Sequence, residues 1–421
     1  MPPTTILSGS TPSTGTASAD PSRPLPTVRI ALILLVLGLS YMVNAMDRQV
    51  FPAVLGSISK EYSLTLSSGG FLSTSFALNI AIFGALSGWF MARFGRRATL
   101  LGGIVAFSIF TALTPLAESY FGLAVYRSLT GAGEALHIGA IFACIGAYFG
   151  ERRGMAIGVI NAFFGIGAFV GPVVGTLLLA QTGSWRLPFL VFAGVGVLGA
   201  LLVWAVVPKS FMESADTEGL SPGEANAKPP MSILLSRNLV LAACGFSLIG
   251  FTLFAYVSLY ATFLRTTAGY TPLEAGAAFG MYGIGALGAF VGGWVSDKLG
   301  TKGTFAALSA LAALGFGLFH GPSAHTVQGV LSAAFGFLIS GYLYPRFMSI
   351  LQRSVHPSHL GYAMAIAIPM FYLPGLVAGY LFGRFVELYG WSVASTLSVC
   401  LPAGLCFLLM LFYRPSEARG G

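Results

Sequence analysis

Asp47 and Arg48 stand side by side in VNAMDRQVF (43–51), within an apolar run that begins near Ile30. A second apolar run carries YRSLTGAGEALH (126–137), with Arg127, Glu134 and His137. A membrane-embedded ionisable side chain costs at least about 2.5 kcal/mol on insertion scales and marks a functional site by default. The residue types define the chemistry. Arginine offers a fixed donor fork that takes a carboxylate or phosphate bidentately. A carboxylate caught between burial and a neighbouring arginine can load and release a proton. Helical spacing gathers these groups. Arg127 and Glu134 are two turns apart on one face, with His137 three residues further on. Tyr41, Asn44 and Arg48 step by three and four as a polar stripe, and Asp47 is rotated by about 100° from Arg48. Arg48, Arg127, Tyr41 and Asn44 are therefore the candidate substrate contacts. Asp47, Glu134 and His137 are the candidate proton-coupling groups. The competing reading is that the acids pair with the arginines only to make burial tolerable, and that His137 is a hydrogen-bonded packing residue.

The elements that must position them are membrane helices. Of 421 residues, 55% are hydrophobic and only 9% charged, where a soluble domain would have roughly 25% charged. Mean hydropathy is +0.81. The 55 glycines suit closely packed membrane helices. Apolar stretches long enough to span a bilayer fall at 29–53, 70–92, 98–117, 121–148, 154–181, 186–207, 237–263, 273–295, 304–321, 325–351, 362–385 and 391–413. The fold expected is an all-α membrane protein, with twelve transmembrane helices in two pseudo-symmetric six-helix bundles.

The bundles are expected at 29–207 and 237–413, joined by a polar linker at 208–236. A Pro/Ser/Thr-rich segment at 1–28 reads as disordered, and 414–421 as a short tail. With the N-terminus cytoplasmic, the cations crowd onto the cytoplasmic loops. Only Lys60, Arg186, Arg265 and Arg384 fall outside, and Arg48 and Arg127 lie within the bilayer. This bias puts the linker and both termini in the cytoplasm, most simply across a bacterial inner membrane. The net charge of +8 is thus a topology signal, with no nucleic-acid partner implied. Cys144, Cys244, Cys400 and Cys406 sit in apolar runs without ligand spacing and read as small core residues. No nucleophile–base pair, phosphate loop or metal cluster occurs, so neither enzymatic activity nor a cofactor is expected. His320, His325, His356 and His359 flank the ninth to eleventh spans at the water interface.

GWFMARFGRR (88–97) after the second span matches GWVSDKLGTK (293–302) after the eighth. Internal repeats of this kind mark secondary transporters, whose substrate site lies at midplane between the halves. With these two motifs in register, the chain resembles the major facilitator superfamily from about 29 to 413. The superfamily's loop motif is G-x-x-x-D-[RK]-x-G-[RK]-[RK]. The second copy supplies Gly293, Asp297, Lys298, Gly300 and Lys302. The first supplies Gly88, Arg93, Gly95, Arg96 and Arg97 but has Ala92 in the acid's place. In the family this acid helps hold the cytoplasmic gate shut, so the resemblance implies a weakened latch in the first half. NAMDR and YRSLTGAGEA resemble both the anion:cation symporter group and the spinster group of lipid exporters. GIGAFVGPVVG (165–175) resembles a helix-5 motif of antiporters in the same superfamily.

By these spans the second half has no membrane carboxylate. Its candidate cavity residues include Tyr256, Tyr260, Tyr282 and Tyr372, each with an apolar body and one polar tip. The expected function is a monomeric secondary transporter moving a small organic anion with protons (sodium being the alternative ion) by alternating access in the lipid bilayer. The alternative is an exporter of lysolipids or amphipathic compounds.

Overall fold

The computed structural model describes residues 26–149, 153–212, 236–355 and 360–414. Most of the expected disordered N-terminus, of the linker and of the tail falls outside them, as do His356 and His359. Among the described residues the chain is helical, with no strand. Helix α1 is Thr27–Tyr62, α2 Leu66–Phe94, α3 Arg96–Leu116, α4 Tyr120–Phe149, α5 Arg153–Thr182 and α6 Arg186–Val206. A single turn, Lys209–Met212, follows. Helix α7 is Arg237–Thr267. Helix α8 begins as Pro272–Ala286 and continues to 299; α9 is 301–320. Helix α10 is His325–Arg353, α11 is 360–389 and α12 is 391–410. Several helices outrun their apolar spans. Helix α1 reaches Tyr62, carrying Lys60 and Glu61 past the apolar stretch.

The boundaries between helices repeat across the two halves. Positive φ angles occur at Ser63, Gly95 and Gly183 in the first half and at Gly269, Gly300 and Gly390 in the second. These are three matched pairs: the turns after α1 and α7, after α2 and α8, and after α5 and α11. In the loop motif the second conserved glycine is required because it adopts φ 85° at Gly95 and φ 56° at Gly300, where a Cβ is strained. The caps repeat as well. Thr65 accepts from Ser68 N at the start of α2. Thr271 does the same for Glu274 at the start of α8, completing a capping box.

Exposed leucines and aromatic residues such as Leu198, Leu201, Trp204, Leu408 and Phe412 clothe the outside, the surface expected of helices that face acyl chains. The two bundles meet along two symmetry-related seams, α2 with α11 and α5 with α8. Both are built from backbone. A Cβ on Gly70 would collide with the Gly379 carbonyl, and one on Gly283 with the Gly165 carbonyl and Phe169 N. At the end of the α2–α11 seam away from the loop motifs, Ser67 N donates to Glu387 Oε1 at 2.8 Å.

Gly70→Leu will therefore wedge α2 from α11. Distances measured by pulsed electron paramagnetic resonance between spin labels at Ser68 and Arg384 will lengthen and broaden relative to the wild-type background. An unchanged distribution refutes the seam.

Candidate functional site

Pro52 lies inside α1. It has no N–H, so the carbonyl of Arg48, four residues earlier, has no helical donor. Arg127 on α4 fills that vacancy, with Nη2 donating to Arg48 O at 2.9 Å. Its Nη1 pairs with Asp47 Oδ2 at 3.3 Å. Thr111 on α3 donates to the other Asp47 oxygen, Oδ1, at 2.8 Å. Thus one acid, one arginine and one backbone carbonyl tie α1, α3 and α4 together at a point that is 1% exposed at both Asp47 and Arg127.

One residue along α1, the partners cross over. Arg48 Nε and Nη2 meet Glu134 Oε2 on α4 at 3.0 and 2.9 Å. Its Nη2 also donates to Asn44 Oδ1 at 3.2 Å, and its Nη1 to the Tyr372 hydroxyl on α11 at 3.3 Å. The second Glu134 oxygen, Oε1, is buried and takes no hydrogen bond from a donor among the described residues, and the Asp47 carboxyl lies close to Glu134. Asn44 Nδ2 contacts His137 Nδ1 at 3.2 Å, and Ser40 Oγ contacts His137 Nε2 at 3.0 Å. Aromatic rings wall this polar knot. Phe76 lies under both arginines, 5.5 Å from the Arg48 guanidinium and 4.9 Å from that of Arg127. Phe164 of α5 and Tyr372 complete the cage around Arg48, a desolvated setting in which cation–π attraction is strongest.

The structure therefore assembles Asp47, Arg48, Asn44, Arg127, Glu134, His137 and Tyr372. Tyr41 packs its ring against His137, Phe142 and Phe164. The other three tyrosines turn their hydroxyls onto α10. Tyr256 meets Ser332 at 2.7 Å, Tyr260 donates to Gln328 Oε1 at 2.8 Å, and Tyr282 meets Ser340 at 2.5 Å. Tyr256 and Tyr260 also stack on each other at 4.7 Å. Ser340 belongs to a π-helical stretch, Phe337–Leu343, in α10. Single-sequence reading missed Ser40, Thr111, Phe76 and Phe164. Pro52 was the available signal for the Arg127–backbone contact.

In the second loop motif, Asp297 takes Arg353 at 3.4 Å and Arg346 at 3.9 Å, both from α10 of its own half. Lys298 sits over the Trp294 ring at 3.6 Å. Gly293, Gly300 and Lys302 complete that turn. In the first copy, Gly88, Gly95 and Arg96 keep the turn, Arg93 packs over Phe94, and Arg97 donates to Trp204 O at 2.6 Å. Of the cysteines, Cys144 and Cys406 are buried, Cys400 is half-buried and Cys244 is exposed. Cys244 is thus not a core residue: its face of α7 points outward, while neighbouring Gly245 packs on Phe347.

Twelve membrane helices in two related bundles, closed around charged side chains at their centre, define a multi-pass membrane transporter. The family profile described as "Major Facilitator Superfamily" matches residues 37–379, and the chain belongs to that superfamily. It is similar to the hexuronate transporter of Bacillus subtilis, at 26% identity over 412 residues, covering 91% of this chain and 94% of that one. It is also similar to the D-galactonate transporter of Escherichia coli O6:H1, at 27% identity over 305 residues, covering 66% and 69%. Among solved structures, an inward-facing, unoccupied bacterial homologue of the human lysosomal transporter spinster superposes with a TM-score of 0.70. That match has 19% identity and covers 92% of this chain and 96% of the other.

Arg127→Ala leaves Asp47 buried without its cation and Arg48 O without a donor. It will cost about 3–5 kcal/mol, read as a lower unfolding midpoint in detergent. Thr111→Val will cost about 1.5–3 kcal/mol, the loss of one hydrogen bond to a charged group. A Thr111→Val protein as stable as wild type would remove Thr111 from the site.

Proposed function

We propose that the protein is a secondary active transporter that moves a small organic anion, a carboxylate, together with protons by alternating access. The observation that carries this is the arrangement of Arg48. One guanidinium holds Glu134, Asn44 and Tyr372, so it joins both halves of the protein. Among the described residues, Glu134 keeps one buried oxygen without a donor. A proton arriving on Glu134 neutralises it and frees the Nε and Nη2 donors of Arg48. The freed fork then takes the substrate carboxylate, so the site keeps its charge balance. Asp47 and Arg127 form a second acid–base pair that links α1 to α4 and can titrate in the same cycle. The aromatic cage and Tyr372 fit the body of the substrate.

The hexuronate and D-galactonate transporters to which the chain is similar support a sugar acid as cargo. The cation bias supports a bacterial inner membrane with both termini cytoplasmic, and two complete bundles support function as a monomer. The bundles are placed at 29–207 and 237–413 with the linker at 208–236. In this orientation the glycine seam of Gly70 and Gly379 closes the outer face. Asp297, with Arg346 and Arg353, forms the cytoplasmic latch of the second half alone, because Ala92 removes its counterpart.

A second reading rests on a different feature. An open groove of about 410 Å³ between α9 and α12, lined by Leu308, Ala312, Leu401, Leu405 and Phe407, has the apolarity for an acyl chain. This supports export of lysolipids or other amphipathic compounds.

Purified protein in liposomes, with an inside-alkaline pH gradient and no sodium, will accumulate D-galactonate or D-glucuronate. Binding of the anion will tighten as pH falls, by up to about tenfold per pH unit for one coupled proton. Glu134→Gln will flatten this pH dependence, leaving at most the contribution of Asp47, and abolish accumulation. Failure to move either sugar acid, by gradient or by exchange, combined with release of lysolipid, would replace the first reading with the second.

A further inference from the structure

The hydrogen bonds behind Arg48 have a direction, and that direction fixes where a proton sits. Arginine carries donors only. The Asn44 atom 3.2 Å from Arg48 Nη2 is therefore its oxygen, and the Asn44 NH₂ group faces His137 Nδ1 at 3.2 Å. An amide NH₂ donates, so Nδ1 must be bare. The ring is then neutral with its hydrogen on Nε2, which donates to Ser40 Oγ at 3.0 Å. Ser40 in turn gives its own hydrogen to Leu37 O at 2.8 Å. Four bonds run one way from a site cation to a main-chain carbonyl. Every side chain in the relay is buried: Asn44 0%, His137 0%, Ser40 2% and Arg48 4% exposed.

Building on the proposed role of Arg48 as carboxylate fork, we propose that His137 is a positioning residue for it, acting as a neutral imidazole held in its Nε2–H tautomer. The bare Nδ1 keeps the Asn44 amide turned so that its oxygen faces Arg48. A protonated ring would set an N–H against the Asn44 NH₂. The amide would then flip and set its own NH₂ against Arg48, or let go of one partner. In either case Arg48 loses the acceptor that holds Nη2 on the α1 side of the site. The ring has little room to escape this choice. Phe107 of α3 lies 5.7 Å from it and Tyr41 of α1 lies 6.3 Å from it. The backbone of His137 packs directly on Gly103. The charged or titratable groups around it are Arg48 and Tyr41 from α1 and Glu134 on its own helix; α3 brings Phe107 and backbone. His137 thus leaves the group of proton carriers and joins the group that shapes the anion site.

The test combines a spectrum with a binding series. In ¹⁵N-histidine-labelled protein in nanodiscs, the ring signals lost in His137→Gln belong to His137. Their shifts will report an Nε2–H neutral ring at pH 7. In parallel, His137→Leu and Asn44→Ala will each weaken D-galactonate binding about tenfold, and the double variant will be no weaker than either, as expected for residues acting in one chain. His137→Gln, whose amide again offers one acceptor and one donor, will return binding to within about threefold of wild type. Unfolding midpoints establish that each variant is folded. The Arg48 Nε–H resonance gives a reading that needs no substrate: it will move in His137→Leu and return in His137→Gln. A cationic or Nδ1–H ring at pH 7, or an Arg48 resonance indifferent to His137→Leu, overturns the proposal. Should wild type not bind D-galactonate, that cargo is wrong for the proposed function, and the two spectra still decide the role of His137.

Discussion

Charges buried in a bilayer-spanning protein must be answered at hydrogen-bond distance, because no solvent is present to screen them. This constraint organises the first half of the molecule. Asp47 and Arg48 are adjacent in sequence but leave α1 in different directions, so each needs its own partner on α4. The seven-residue interval from Arg127 to Glu134 provides the two partners on one face, two turns apart. Register between α1 and α4 is thereby set by electrostatics, and α3 is drawn in through Thr111. The apolar packing around Phe76, Phe107 and Phe51 closes over a geometry that the charges have already chosen.

Much of this was legible in the sequence, and the reasons are specific. Hydrophobic run lengths mark helices because the bilayer fixes their length. The four membrane charges and their spacing announced the site, because nothing else in the chain is costly enough to need explanation at that depth. The pairing itself was not legible. Whether Arg48 meets Asp47 or Glu134 depends on helix rotation, which packing decides. The tyrosines were harder still. Tyr256, Tyr260, Tyr282 and Tyr372 look alike in sequence, and only one reaches the arginines. The other three are claimed by Ser332, Gln328 and Ser340, hydroxyl and amide partners on α10 whose alignment depends on a π-helical segment that the sequence did not mark. Pro52 is the opposite case. Its missing N–H was plain to read, but its consequence, a carbonyl waiting for Arg127, becomes visible only once α4 is in place.

The two halves share a frame and divide the chemistry. Their turns occur at the same places with a positive φ at each, and their first interface helices begin with the same kind of threonine cap. The seams between bundles repeat too, glycine on backbone in both. The site is not repeated. Its acids and arginines belong to α1 and α4, while α7, α8 and α10 hold aromatic rings and hydroxyls bonded among themselves. Among the described residues of the second half, only Tyr372 hydrogen-bonds to Arg48.

That division bears on how such a protein changes over generations. A duplicated frame tolerates unequal drift: one copy is held fixed by the exacting demands of buried charge, and the other is free to vary. Substitutions among Tyr256, Phe335, Ser332 and their neighbours alter the packing and hydroxyl pairing of α7 against α10, while the charge pairs of the first half stay intact. On the proposed function, new cargo preferences are accessible by single steps in the second half that leave the charge pairs of the first in place. The lone tyrosine that bridges the halves is then the narrow point through which a novel wall must still communicate with an old mechanism.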